Sequence, residues 1–430
     1  MSVVNARQDT MKIGAWGLGN SLLIPAYGIF AILVVFRATP EGELGAYLVL
    51  QAIYLMIVQL ARNFGYTPLV RHFFEEERRG AVVGSSTVLT VLFQVAALGL
   101  LIGFRHQAAA ILGCPPLPDL IWLVAAAVLL GAVAELRMAI FQALHHTRQV
   151  FLINAVYHVT LIGVIAAHAL TTGAVHAGQL LQATVWAAVS SSVASAVLTP
   201  RGFFGPRVSR GELRRMYEYG KYTLGTSVSA VVFTRVDVVI LSAFRSPAEV
   251  AAYGVGKVFV RLFDIYHHTA ALVLFPLFCR LWSQRRREEL RRVYRRLLVG
   301  STAACGALAV GLALVAIPMV RFFYGGKYPS AGPLLAVLSL TGLTVPWTAL
   351  AQNLINAAGV PSFVFGARIA IAGLNLVLDI ILIRQFGAYG AALATLISLT
   401  TLAVFMNRKA SGVFSFDPPE RNAPHDPRKV

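Results

Sequence analysis

The sequence predicts an all-α integral membrane protein with about twelve transmembrane helices in two six-helix lobes related as a parallel repeat. Three observations predict it. The 430 residues are 57% hydrophobic and only 13% charged, with a mean hydropathy of +0.69, so apolar character runs through the whole chain. Apolar runs of about 20 residues, the length that crosses a hydrocarbon core, recur from end to end. Sequence matches also recur between the two halves at a nearly constant spacing.

Taken in order, the spans fall near 15–36, 44–66, 81–104, 119–141, 150–170, 179–199, 218–244, 254–281, 297–320, 334–357, 363–383 and 388–406. Each is expected to be helical, because lipid supplies no partner for an open backbone N–H or C=O. The first run is too long for a signal-peptide core and no cleavage site follows it, so it is expected to persist as the first helix. Between spans three and four, Arg105 to Asp119 is the longest loop of the first half. Its Cys114-Pro115-Pro116-Leu117-Pro118 run is expected to lack regular structure. Pro200 to Glu218 reads as a basic elbow between the halves, with Arg207, Arg210, Arg214 and Arg215 in an amphipathic stretch suited to lying on anionic lipid. The domain reading is therefore a lobe over 1–216 that includes the elbow, a second lobe over 217–407, and a disordered tail over 408–430, where Pro418, Pro419, Pro424 and Pro427 stand among charges.

The net charge of +18 would suggest nucleic acid in a soluble protein, so the placement of the bases decides its meaning. With the N-terminus inside, 25 of the 37 Lys and Arg fall on inside segments and 6 outside, and the last 6 lie within spans. That asymmetry places both termini in the cytoplasm and excludes a nucleic-acid partner as the source of the charge. Cys114, Cys279 and Cys305 have neither metal spacing nor an even-numbered framework and read as packing residues. His145-His146 and His267-His268 are adjacent pairs without metal-site spacing, so no metal and no cofactor is expected.

The repeat is carried by several pairs. Phe36-Arg37 recurs as Phe244-Arg245 at an offset of 208, and Glu43, Ala46 and Tyr47 recur as Glu249, Ala252 and Tyr253 at 206. Val150-Phe151 and Gly173-Ala174 recur as Val364-Phe365 and Gly387-Ala388, both at 214. Six helices per unit is an even number, so both units share one orientation and are related by an axis along the membrane normal, with a substrate site between lobes.

Ionisable residues inside spans mark candidate function, since one charge at the bilayer centre costs roughly 2.5–3.5 kcal/mol on insertion scales. Lys257, Arg261, Asp264 and His268 stand at i, i+4, i+7 and i+11, one face of one helix. Two cations one turn apart repel, and an anion would relieve them. Arg235 and Asp237 are two apart and cannot face each other, so their partners must come from other helices. The repeat aligns Gln51 with Lys257 and Arg62 with His268, and Gln51, Tyr54 and Arg62 share a face of span two. Arg368, Asn375 and Asp379 share a face of span eleven, whereas Glu135 and Arg137 in span four do not share one. Arg62 and Arg368 lie near span ends, where snorkelling alone could explain them. Asp379 and Glu135 could serve as structural hydrogen-bond partners between helices. The substrate-binding candidates are Arg235, Lys257, Arg261, Arg62, Gln51 and His268; Asp237, Asp264, Asp379 and Glu135 are candidates for ion coupling or charge pairing.

From the seventh span onward the residues carry a resemblance. Asp237, Leu241, Phe244, Val250, Tyr253, Lys257 and then Phe275-Pro276 resemble the entry to the second half of the polysaccharide and O-antigen flippases. Tyr324-Gly325-Gly326-Lys327-Tyr328 is similar to their Tyr-Gly-x-x-Tyr loop, and Asn356-Ala357-Ala358-Gly359 to the segment after it. Asn375-Leu376-Val377-Leu378, then Phe386-Gly387-Ala388-Tyr389-Gly390-Ala391-Ala392, resembles their closing pattern. The likeness covers the second half by motif and the first by topology alone. It implies membership of the multidrug, oligosaccharidyl-lipid and polysaccharide exporter superfamily, with two lobes around a central cavity. It also implies a lipid-pyrophosphate-linked oligosaccharide moved from inner to outer leaflet of a bacterial inner membrane, for O-antigen, capsule or exopolysaccharide synthesis. A polymerase and chain-length machinery would then be partners, together with membrane lipids. Asp379, where relatives often carry a neutral residue, and the twelve spans, against fourteen in lipid II flippases, depart from the pattern.

Two other readings compete. A cation-coupled multidrug exporter shares the architecture, yet its cationic cargo wants an acidic cavity, and spans seven and eight hold Arg235, Lys257 and Arg261 against Asp237 and Asp264. An integral-membrane glycosyltransferase or polysaccharide polymerase would use lipid-linked sugars too, but no outward loop exceeds about 15 residues, and catalytic groups concentrate on long loops. No nucleophile, metal box or phosphate-cradling glycine loop is present, and transport without chemistry is the expectation.

Overall fold

The computed structural model describes residues 3–73, 79–144, 146–199 and 207–413, and among these the regular structure is entirely helical. Six helices form the first half: α1 (Val3–Phe30, carried on to Ala38), α2 (Glu41–His72), α3 (Arg79–Gly103), α4 (Leu117–Ala143), α5 (Thr147–Thr172) and α6 (Ala177–Leu198). The second half holds α7 (Arg210–Val231, carried on to Phe244), α8 (Pro247–Val260 and Leu262–Ser283), α9 (Arg287–Tyr324), α10 (Ala331–Ser339 and Val345–Ala357), α11 (Pro361–Phe386) and α12 (Ala388–Val413). All but α7 and α8 are long and apolar enough to cross a membrane by length and composition. Those two are the helices that carry Arg235, Asp237, Lys257 and Arg261.

Several helices are irregular where function concentrates. Wide π turns interrupt α1 at Ala31–Val35, α2 at Arg62–Tyr66 and α7 at Val232–Val236. Such turns insert one residue into the α pattern and often mark functional sites. The first carries no ionisable group, but Arg62 opens the second and Arg235 lies in the third. The span expected as one continuous helix over 254–281 is instead two pieces meeting at Arg261.

Three further expectations change. The basic elbow is not a separate surface helix: from Arg210 onward it is the first turns of α7 itself, while 200–206 lie outside the described residues. A lobe boundary at 216–217 thus falls inside α7. The loop between α3 and α4 holds a short helix, Arg105–Ile111, and Leu117 and Pro118 already begin α4, where a proline in the first turn sacrifices no hydrogen bond. Residues 408–413, expected in the tail, extend α12; the rest of that tail, 414–430, lies outside the described residues.

The two halves meet along α2 and α8, which pack side by side. Leu48 and Gly254 are 206 apart, the offset that relates Glu43 to Glu249. A Cβ placed on Gly254 would lie 2.3 Å from the Leu48 Cδ1, so equivalent positions touch, as they must near an internal two-fold axis. One turn away Gly45 lets the backbones close up, since its Cβ would fall 1.9 Å from the Pro247 carbonyl oxygen. The repeat is also visible at helix starts. Glu43 accepts the Ala177 N–H at 2.9 Å, and Glu249 accepts the Ala388 N–H at 2.7 Å, each carboxylate capping the N-terminus of its half's sixth helix.

The packing differs between the two ends of the bundle. At the end bearing Thr39 and Lys327, one continuous apolar core runs through both halves, including Leu50, Ile121, Leu241, Tyr253 and Leu335. There the α9–α10 loop reaches across: the Lys327 ammonium donates to the carbonyls of Phe36 at 3.3 Å, Arg37 at 3.1 Å and Thr39, and the Tyr328 hydroxyl donates to Phe36 at 2.8 Å. At the opposite, arginine-rich end the apolar core divides. Leu69, Phe73, Ile140 and Met216 belong to one cluster, and Phe278, Leu290, Leu350 and Met406 to another. The lobes are clamped at one end and parted at the other.

Candidate functional site

Between the lobes lies a cavity of about 360 Å³. One wall comes mainly from α1, α2, α4, α5 and α6, the other from α7 and α8. Gln51, Arg62, Glu135, Arg235, Lys257 and Arg261 all line it.

The cations divide into paired and unpaired. Arg62 Nη2 lies 2.5 Å from Glu135 Oε2, with the two side chains 49% and 18% exposed. Arg62 therefore lines the cavity in an ion pair with α4. Lys257 donates to Asp237 Oδ2 and, at 3.3 Å, to the Thr234 carbonyl; Asp237, only 3% exposed, also accepts the Tyr253 hydroxyl at 2.6 Å and the Val238 N–H at 2.9 Å. Asp237 is the partner from elsewhere that Lys257 needs, and the repulsion expected between Lys257 and Arg261 is relieved inside the protein. Arg235 and Arg261 form no ion pair among the described residues, and the Arg235 Nε is buried with no hydrogen-bond partner. They lie near enough to act on each other electrostatically. Among the described residues, two paired cations and two unpaired ones leave a surplus of positive charge on the α7–α8 wall.

Other expected residues sit elsewhere. Asp379 is not in the cavity but behind it, fully buried on α11 within electrostatic reach of Asp237 and Lys257. Both of its carboxylate oxygens lack a hydrogen-bond partner, as do the Asn375 Nδ2 one turn away and the Ser398 Oγ. Arg368 is away from the cavity, its Nη2 donating to Gln352 Oε1 at 2.5 Å, and Arg137 donates to Ser195 Oγ at 3.3 Å. The side chains of Asp264 and His268 lie outside the described residues. Among the described residues no cluster of three His, Cys, Asp or Glu could hold a metal ion, and Cys114, Cys279 and Cys305 are free thiols. The sequence reading missed Tyr27, Tyr47 and Tyr157, which line the cavity with Tyr54. The signal for Tyr47 was present, since Tyr47, Gln51 and Tyr54 lie at i, i+4 and i+7 on one face of α2.

Two pseudo-symmetric six-helix lobes, clamped at one end around a cationic central cavity, define a membrane transporter fold. Residues 42–333 match the family described as polysaccharide biosynthesis protein, and the chain belongs to that family. Over 372 residues it is 21% identical to a probable low-salt glycan biosynthesis flippase, Agl15, of Haloferax volcanii, covering 86% of this chain and 76% of that protein. A second protein of that organism, the probable flippase AglR, is 29% identical over 43% of this chain. An uncharacterized membrane protein of Methanocaldococcus jannaschii is 25% identical over 46%. The matched region spans 39% of the length of each of these last two relatives. Among solved structures, the lipid II flippase MurJ in an inward closed conformation aligns with a TM-score of 0.72 at 15% identity, over 94% of this chain and 89% of that one. An inward-facing multidrug resistance MATE family transporter of the MOP superfamily aligns at 0.76 and 14% identity, over 93% and 96%. At those identities the likeness establishes the fold: a multi-pass helical membrane protein of two lobes.

Proposed function

We propose that this chain is a flippase that carries a polyprenyl-pyrophosphate-linked oligosaccharide from the inner to the outer leaflet by alternating access, in polysaccharide biosynthesis. The observation that carries this reading is the pair Arg235 and Arg261, two cations on one wall of the central cavity that form no ion pair among the described residues. Unpaired guanidinium groups in a membrane interior favour a multiply charged anion, and guanidinium suits phosphate because it donates in a fork. The sugars occupy the wet cavity and the prenyl tail stays in lipid between the lobes. A cationic drug would meet the same surplus charge as a repulsion, which disfavours the multidrug exporter reading.

The arginine-rich end faces the cytoplasm in this reading, by the positive-inside rule, with both termini on that side of the plasma membrane. The clamped end then faces outward, and the cavity stands ready to load from the cytoplasmic leaflet. Asp237 and Asp379 on the far side of Lys257 place two carboxylates against one ammonium, so a coupling cation or proton would balance this buried cluster. A polymerase and chain-length machinery would receive the product at the outer leaflet. In cells, export of the lipid-linked glycan normalised to membrane-inserted protein should fail in Arg261→Glu. It should remain nearly intact in the triple Arg285→Gln, Arg286→Gln, Arg287→Gln, whose bases lie at the end of the bundle, where water and salt screen exposed charge. Equal losses in both would remove the special role of the cavity cations.

A further inference from the structure

The two walls of the cavity differ in chemistry. On the α7–α8 wall stand Arg235 and Arg261, which form no ion pair among the described residues. On the wall from the first half the only ionised groups among the described lining residues are Arg62 and Glu135, which neutralise each other. Among aliphatic side chains such as Leu55, Val128 and Leu161, this wall carries a set of neutral aromatic and hydrogen-bonding groups: Tyr27 from α1, Tyr47, Gln51 and Tyr54 from α2, and Asn154 and Tyr157 from α5.

These side chains stand together on three helices. The phenols of Tyr27 and Tyr47 lie near each other across α1 and α2, as do those of Tyr54 and Tyr157 across α2 and α5. Gln51 Nε2 donates to the Tyr47 hydroxyl at 2.9 Å, and Asn154 Nδ2 donates to Asn20 Oδ1 at 2.8 Å. Gln51 thus anchors the Tyr47 hydroxyl and Asn154 ties α5 to α1, and the amides keep hydrogen-bonding capacity beyond these single contacts. The internal repeat shows that this wall is particular to one half. The equivalent of Tyr47 is Tyr253, whose hydroxyl is committed to the buried Asp237, and the equivalent of Gln51 is the cation Lys257.

We propose that this tyrosine and amide wall is the subsite for the glycan of the substrate, opposite the phosphate-binding arginines, so that the two walls together orient the lipid-linked sugar across the cavity. This rests on the flippase reading above. The chemistry is that of a neutral polyol. The C–H faces of a pyranose ring pack on the electron-rich face of a phenol, and its hydroxyls exchange hydrogen bonds with amides and phenolic oxygens. A prenyl tail would use neither the amides nor the hydroxyls, and a cationic ligand would find no unpaired carboxylate on this wall. Sugar selectivity accordingly belongs to Gln51, Tyr54 and Tyr157, and charge-dependent affinity to Arg235 and Arg261.

The test compares two probes on the purified full-length chain in detergent. One is the lipid-diphosphate-linked glycan extracted from membranes of cells lacking this chain, and the other is polyprenyl diphosphate of the same tail length without sugar. Gln51→Leu and Tyr157→Leu should weaken binding of the glycan-bearing probe about tenfold, the order of one lost ring or amide contact, and leave the bare diphosphate within about twofold. Tyr54→Phe, which retains the ring and its packing, serves as the variant that keeps the fold if the leucine proteins do not assemble, and it should shift the glycan probe alone. Arg235→Gln with Arg261→Gln should weaken both probes. Equal weakening of both probes by the wall variants, or no effect on either, would overturn the subsite. If no lipid-linked glycan accumulates in those cells, or the wild type binds neither probe, the flippase reading itself fails.

Discussion

Replacing Asp237 by asparagine should take from the Lys257 ammonium the carboxylate it touches, leaving the more distant Asp379 within electrostatic reach. Asp237 is 3% exposed and Lys257 29%, so the pair sits where water screens it little. Removing one partner of a buried pair costs roughly 3–5 kcal/mol, mostly because the other charge stays behind, and the partial exposure of Lys257 puts Asp237→Asn near the lower end. Asparagine still offers an oxygen to the Tyr253 hydroxyl and the Val238 N–H, which limits the loss to the charge itself. Lys257→Met should cost at least as much, because it strands the more deeply buried carboxylate. The double variant, Asp237→Asn with Lys257→Met, should lose much less than the sum of the two single losses and stay close to the wild type. Unfolding of the purified protein in detergent, followed by intrinsic fluorescence against denaturant, supplies the three differences. Strictly additive losses would show that the two residues do not act as a pair.

Lys327→Gln should loosen the clamp between the α9–α10 loop and the α1–α2 corner. Losing one charge-assisted hydrogen bond of roughly 1.5 kcal/mol shifts a two-state closure about tenfold, so a cysteine at the fully buried Thr39 should react about tenfold faster with a maleimide added to the purified protein; an unchanged rate would rule out a clamping role. Cysteines at Leu48 and Gly254, which touch across the seam between lobes, should form a disulfide that holds this end closed and arrests transport. Unimpeded turnover with that crosslink complete would exclude separation of the lobes along α2 and α8.

Much of the architecture was legible because a bilayer leaves the backbone few choices. Apolar runs of sufficient length become helices, and the pairs Glu43 with Glu249 and Phe36 with Phe244 already carried the duplication that appears as two equivalent N-terminal caps. Helix extents beyond the bilayer were not legible, since the pattern from Arg207 to Arg215 suits a helix lying on lipid as well as one continuing α7. The break at Arg261 has no proline or glycine to announce it. In the cavity, helical spacing put Lys257 and Arg261 on one face and Gln51, Tyr54 and Arg62 on another, and all five line the same space. Spacing within a helix cannot reveal a partner on a different one. For that reason the Arg62–Glu135 and Lys257–Asp237 pairs, which decide that Arg235 and Arg261 are the cations left over, became visible only in three dimensions.

The central claim is tested most directly by reconstituting the purified chain alone in vesicles. They would carry the lipid-diphosphate-linked glycan that accumulates in its absence, and an external glycosidase would report how much of that lipid becomes reachable with time. Vesicles with the wild type should expose the inner-leaflet pool progressively, and vesicles with Arg235→Gln and Arg261→Gln should leave it protected at the level of protein-free liposomes. Equal exposure by both proteins, or protection persisting with the wild type, would contradict the assignment of the cavity arginines to lipid-linked glycan transport.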